Sequence, residues 1–143
     1  MGILEISTGR LTAANAGHEY PCLMQNHGKF ELLKDRHGLV LGAMEDSRYS
    51  SYEILMKPGD KIYVYTDGVT EASDSRNELF GTERLLDALN SDPGASGNKL
   101  LENVYSGIAA FVGDAPQFDD LTMLCLQYNG PLNEPGNPEK QKQ

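Results

Sequence analysis

The chain has 143 residues, a formal net charge of −9 and 39% hydrophobic residues. That length supports one domain with a core of its own, and the acidic balance argues against nucleic acid as a partner, because phosphates would be repelled. No stretch approaches the roughly 18 consecutive apolar residues that a membrane span needs, and the opening residues lack a signal-peptide pattern.

In chain order, strands are predicted at 2–7 and 11–15, joined by the hairpin-like turn Thr8-Gly9-Arg10. Strands at 21–25 and 30–34 follow, joined by Asn26-His27-Gly28-Lys29, and the set reads as an antiparallel meander. Residues 50–57 alternate around Tyr52, Ile54 and Met56, and Pro58-Gly59-Asp60 breaks the run before a strand at 61–66. The period then changes. Thr82 is placed to cap a helix with Glu83 in its first turn and Leu85, Leu86 and Leu89 on one face. A second helix is predicted over 97–112, where Leu100, Leu101, Val104, Ile108, Phe111 and Val112 keep the helical period and Gly113 supplies the stop. A last strand is predicted at 121–128. From 129 onward the composition is that of a disordered polar tail, so the domain is expected to occupy 1–128. Strands, two helices and a returning strand predict an α+β layered sandwich, mainly antiparallel.

Cys22 and Cys125 each lie in an apolar run without C-x-x-C spacing, which reads as two buried thiols in a reducing cytoplasm. His27 and His37 fall in glycine-containing turns and are expected in solvent. Tyr63 and Tyr65 alternate with Ile62 and Val64 and read as packing residues.

Two acidic turns carry the chemistry. The run Ile62 to Tyr65 delivers Asp67 to the C-terminal end of a strand, and Gly68 lets the backbone turn there. Alone, Asp-Gly is a common turn dipeptide. The second turn, Asp119-Asp120-Leu121-Thr122, sets a carboxylate pair at the N-terminal end of another strand. If the two strands pair antiparallel, Asp67 and Asp119 reach the same sheet edge. Bare carboxylates so placed repel, and a divalent cation relieves the repulsion. Successive strand side chains point to opposite faces, so one of Asp119 and Asp120 is expected to face the site.

Five motifs stand in order: Asn15-Ala16-Gly17-His18, Gly38-Leu39-Val40-Leu41-Gly42, Pro58-Gly59-Asp60 leading to Tyr65-Thr66-Asp67-Gly68-Val69-Thr70-Glu71, Asn77-Glu78-Leu79-Phe80-Gly81, and Asp119-Asp120-Leu121-Thr122. The set resembles the bacterial branch of the metal-dependent PP2C-like serine/threonine phosphatases, typified by the sporulation phosphatase SpoIIE and the stress-response phosphatase RsbU. The resemblance spans about Gly2 to Tyr128 and implies an α-β-β-α sandwich. It also implies a Mn²⁺ or Mg²⁺ pair that activates water against phosphoserine or phosphothreonine of a phosphoprotein substrate. By motif match, Asp67 and Asp119 are metal ligands, Gly68 gives the close backbone turn, and Asp120 orients the loop. His18 reads more simply as a hydrogen-bonded structural histidine than as a catalytic one. Glu71 either hydrogen-bonds near the site or is solvated.

The family also uses an N-terminal Asp-x-x-Gly-x-Gly motif, which this sequence lacks. The resemblance therefore implies the C-terminal portion of a phosphatase domain, a sandwich incomplete at the N-terminus, with weak or partial metal binding. Surface bared in this way could be covered by a partner or a second copy. Three functions compete: a protein phosphatase impaired in this chain, a non-catalytic protein-binding or self-associating remnant of the fold, and a small-molecule phosphoester hydrolase using the same acids.

Overall fold

The computed structural model describes residues 1–34, 38–116 and 119–131. The element order is β1 (Gly2–Glu5), β2 (Arg10–Ala14), β3 (Cys22–Met24), β4 (Phe30–Leu32), β5 (Ser51–Leu55), β6 (Lys61–Tyr65), α1 (Asp67–Thr70), α2 (Gly81–Asn90), α3 (Gly97–Val112) and β7 (Met123–Gln127). His37 and nearly all of the predicted tail lie outside the described residues.

The expected meander is divided between two sheets. β1 and β2 form a hairpin that pairs with β5, and β3 and β4 form a second hairpin that pairs through β3 with β6, which in turn pairs with β7. Every described pairing is antiparallel. Two short hairpins followed by a distant strand for each read alike whether they form one sheet or two. The physical reason for the division is burial, because two stacked sheets enclose an apolar layer that a single meander would leave wet.

The layers are helix, four-stranded sheet and three-stranded sheet. Cys22, Met24, Phe30, Tyr63 and Tyr65 project from one sheet face onto Leu85, Leu89, Leu100, Val104 and Ile108 of the helices. A smaller cluster of Leu11, Met56 and Tyr128, with Ile54, Ile62 and Leu126, lies between the sheets. Among the described residues the helices lie on one side of the stack, so the architecture is α-β-β with two full helices and the single turn of α1.

Local chemistry explains the element ends. α3 is capped by Ser96, whose Oγ accepts from the Lys99 amide at 3.3 Å, as an N-terminal serine should. The predicted Thr82 cap is displaced: α2 begins at Gly81 after Phe80, with no side-chain cap. Phe80 is only 2% exposed, so core packing of its ring fixes the start of the helix. Before β6, Lys57-Pro58-Gly59-Asp60 turns with Pro at the second position and Gly59 at φ 96°. The Asp60 amide donates to Lys57 O at 2.9 Å, the pattern of a type II turn.

Two charged residues are buried inside this frame. Asp60 is 1% exposed and accepts from the amides of Asn26 and Lys57, each at 2.8 Å. Lys61 is 2% exposed, and its Nζ donates to the carbonyls of Pro93 at 2.8 Å and Ala95 at 2.7 Å. Both heads thus meet hydrogen-bond partners, which burial of such groups requires. They tie β6 to the β3–β4 hairpin and to the α2–α3 connection.

Candidate metal centre

β6 and β7 run antiparallel side by side, with Tyr65 opposite Met123. The two acidic turns therefore leave the sheet at one end. Thr66 fastens them together. Its amide donates to Thr122 O at 3.0 Å, its Oγ1 donates to Asp120 O at 3.3 Å, and the Thr122 amide donates back to that Oγ1 at 3.2 Å.

Beyond Thr66 the expected simple turn is a single helical turn, α1, closed by the Glu71 amide on Asp67 O at 2.8 Å. Val69, fully buried, anchors it to the core. Asp67 heads the turn, and its Oδ1 accepts from the Gly68 amide at 3.0 Å. Asp119 Oδ1 likewise accepts from the Asp120 amide at 2.7 Å. Gly68 is where the turns touch. A Cβ there would sit 2.5 Å from Asp120 O and 3.5 Å from the Asp119 Cβ. Only glycine permits so close an approach of backbone to backbone.

Asp67, Glu71, Asp119 and Asp120 are all exposed. Carboxylate oxygens suit a hard cation such as Mg²⁺ or Mn²⁺ rather than a soft one. Among the described residues no group of three His, Cys, Asp or Glu side chains is arranged to hold a metal ion. The donor set here is thus two aspartates from interlocked turns, which fits part of a metal shell. Asp120 contributes its carbonyl to the interlock. Glu71 follows α1 and, with Gly68 and Asp119, walls a cavity of about 200 Å³.

His18 lines the cleft between the sheets, which reaches the acidic turns through Thr66 and Thr122. The His18 backbone is clamped by Asn15, whose Oδ1 accepts from the His18 amide at 2.8 Å while Nδ2 donates to His18 O at 2.9 Å. The ring is exposed and Nδ1 lies 3.2 Å from Glu19 O. The cleft has a volume of about 480 Å³, and its walls include Leu4, Leu11, Val64 and Leu124.

Sequence reasoning missed Thr66, the fastener of the site. Its signal was available: a hydroxyl residue directly before Asp-Gly at a strand end competes for local backbone groups.

Paired antiparallel sheets under two helices, with aspartate turns meeting at one sheet end, define a PP2C-type phosphatase fold. The sequence model of the family described as Stage II sporulation protein E (SpoIIE) matches residues 1–129, and the chain belongs to that family. Protein IcfG of Synechocystis is 32% identical over 128 residues, covering 90% of this chain and 20% of its own length. Phosphoserine phosphatase RsbU of Bacillus subtilis is 27% identical over 120 residues, covering 82% of this chain and 35% of its own length. The solved RsbU and RsbW domains of Rv1364c from Mycobacterium tuberculosis superpose with a TM-score of 0.70 at 22% identity, over 92% of this chain and 36% of that one. The SiaA-PP2C domain of Pseudomonas aeruginosa gives 0.64 at 24% identity, over 84% and 46%. At such identities the structural likeness speaks for the fold. The chain spans about a third or less of the curated relatives it matches.

Proposed function

We propose that the chain is part of a metal-dependent phosphatase acting in the cytoplasm on phosphoserine or phosphothreonine of a protein. In this reading Asp67 and Asp119 are ligands to a shared Mn²⁺ or Mg²⁺. The observation that carries the reading is the interlock of the Asp67-Gly68 and Asp119-Asp120 turns through Thr66. The likeness to RsbU, a phosphoserine phosphatase, supports the substrate class. A bound ion of this kind supplies Lewis acidity and a water that ionises near neutral pH. The protein's part is orientation: the amides of Gly68 and Asp120 fix one oxygen of each aspartate, and Thr66 fixes the two turns relative to each other. The net charge of −9 draws cations toward the cleft.

Two carboxylates are half of what a two-ion site needs, and Mg²⁺ in particular keeps its waters unless the geometry is nearly octahedral. The chain alone is therefore expected to bind Mn²⁺ weakly and to release little phosphate from a phosphoserine peptide. Calorimetry with Mn²⁺ beside a phosphate-release assay is the test. Tight uptake of two ions with rapid turnover would mean that other acids here complete the site. Uptake unchanged by both Asp67→Ala and Asp119→Ala would end the metal assignment.

A second reading has its own observation. The inter-sheet cleft is walled mainly by apolar groups, and Leu124 on the edge strand β7 is 53% exposed. That surface suits a non-catalytic role in which a protein partner or a second copy covers it. A monomer at high concentration, by light scattering, would remove the self-association form of this reading. Among the described residues no helix is long and apolar enough to cross a membrane.

A further inference from the structure

α1 is a single turn, and so few residues cannot hold a helical shape by themselves. Asp67, which heads the turn, therefore stands where its two flanks put it. The front flank is Thr66, fastened to Asp120 and Thr122. The rear flank is a hairpin arm, residues 72–80, which leaves α1 and runs on into α2. The arm is closed at its base by the Phe80 amide on Ala72 O at 2.8 Å and by an antiparallel bridge between Ser73 and Leu79. Its tip is stapled by Asp74, whose Oδ1 accepts from the amides of Arg76 and Glu78 at 2.8 and 2.9 Å. The arm is thus stiff within itself, and its attachment to the helices decides where it sits.

Phe80 and Arg84 make that attachment. The Phe80 ring, 2% exposed, meets Phe111 of α3 edge-on with centroids 5.7 Å apart. Arg84 of α2 lays its guanidinium over the same Phe111 ring, 4.4 Å from the centroid. Its Nη1 donates to Leu79 O at 3.0 Å and to Phe80 O at 3.1 Å. Among the described residues Arg84 makes no ion pair, so its charge is directed at the backbone of the arm.

We infer that Arg84 is a positioning residue for Asp67. By clasping the base of the arm to α2 and α3 it fixes the rear of α1, and with it the setting of the proposed metal ligand. The inference rests on the metal reading of Asp67 and deepens it. Lysine does not replace arginine here, because an ammonium lacks the planar face that lies on Phe111 while a nitrogen reaches both carbonyls.

The test compares the full chain with Arg84→Lys, a change at an exposed position that keeps the charge. Amide hydrogen exchange is read at Glu71 and Phe80, whose amides close α1 and the arm, and at Leu100, Val104 and Ile108 in the buried face of α3. Exchange at Glu71 and Phe80 should quicken about tenfold, the effect of losing one charge-assisted hydrogen bond, while the α3 amides stay within about twofold of the parent. The Mn²⁺ concentration that half-broadens the Gly68 amide should rise about three- to tenfold, less than for loss of a group bonded to the ligand itself. Glu71 exchange that is unchanged, or that rises only in step with the α3 amides, would overturn the inference, because Phe80 packing alone would then hold the arm. Quickened Glu71 exchange with an unchanged Mn²⁺ midpoint would overturn it too, since the clasp would not reach Asp67. If Mn²⁺ leaves Gly68 of the parent untouched, quickened Glu71 exchange still upholds the hold of Arg84 on the turn, and the metal reading is what fails.

Discussion

Gly68→Ala sets two effects of opposite sign against each other. In an unconstrained helical turn the change stabilises by about 0.5–1 kcal/mol, because alanine has less backbone freedom to lose. Here the new Cβ would meet Asp120 O at 2.5 Å and the Asp120 carbonyl carbon at 3.2 Å. Both are backbone atoms and cannot rotate aside. Relief requires the acidic turns to part, straining the hydrogen bonds that join Thr66 to Asp120 and Thr122. Overpacking of this kind costs about 1–3 kcal/mol. Setting the propensity gain against it leaves a net loss of about 0.5–2 kcal/mol, a fall in Tm of roughly 2–8 °C for a domain of this size. Urea and thermal unfolding followed by circular dichroism measure it. A variant as stable as the parent, or more stable, would refute the close contact between the turns and with it the geometry of the site.

Two further perturbations probe the frame that holds the site. Lys61→Met keeps an apolar stem but leaves the Pro93 and Ala95 carbonyls without their charged donor, for a loss of about 1–3 kcal/mol in urea unfolding; an unchanged midpoint would mean that those carbonyls find water at no cost. Burial pushes the Cys22 thiol from its ordinary 9.0 up to about 12. Between those values the unfolded chain loses its proton while the folded one keeps it. Stability is therefore intact below pH 9.0 and falls as pH rises toward 12, by about 1.4 kcal/mol per unit. Burial raises the phenols of Tyr63 and Tyr65 in the same direction from 10.0, steepening the upper part of the curve. Unfolding in urea from pH 8 to 11 checks this, and Cys22→Ala should flatten the slope just above pH 9; a pH-independent midpoint would contradict it.

Much of the scaffold was legible because its signals are periodic. Leu100, Val104 and Ile108 keep helical spacing and are the buried face of α3, and Gly113 closes that helix at φ 59°. The antiparallel pairing of β6 with β7 was a condition of the sequence reading rather than a result of it, and it decides which sheet end carries both turns. The pairing of each hairpin was not legible, since partner choice between β2, β3, β5 and β6 depends on distant burial rather than on local pattern. Asp60 and Lys61 were hidden for another reason. Charge at a strand start reads as solvent-facing, yet Lys61 shares a face with Tyr63 and Tyr65, and that alternation was the available signal. Asn90 was equally silent: its side chain pairs with both the amide and the carbonyl of Phe30, at 2.7 and 3.0 Å, a contact across 60 residues that no local window contains. At the site itself a hydroxyl residue directly before Asp-Gly was a local signal for Thr66, while its partners Asp120 and Thr122 became visible only with β7 beside β6.

In the proposed reading the Asp67 and Asp119 turns share one divalent cation. Paramagnetic broadening by substoichiometric Mn²⁺ in amide NMR spectra tests it most directly, because it reports weak binding without any need for turnover. The amides of Asp67, Gly68, Asp119 and Asp120 should broaden first and together, and Asp67→Asn or Asp119→Asn should each abolish the effect at both turns. Broadening centred on another acidic cluster, such as the Asp74, Arg76 and Glu78 turn, or broadening of one turn that survives loss of the other's aspartate, would contradict it.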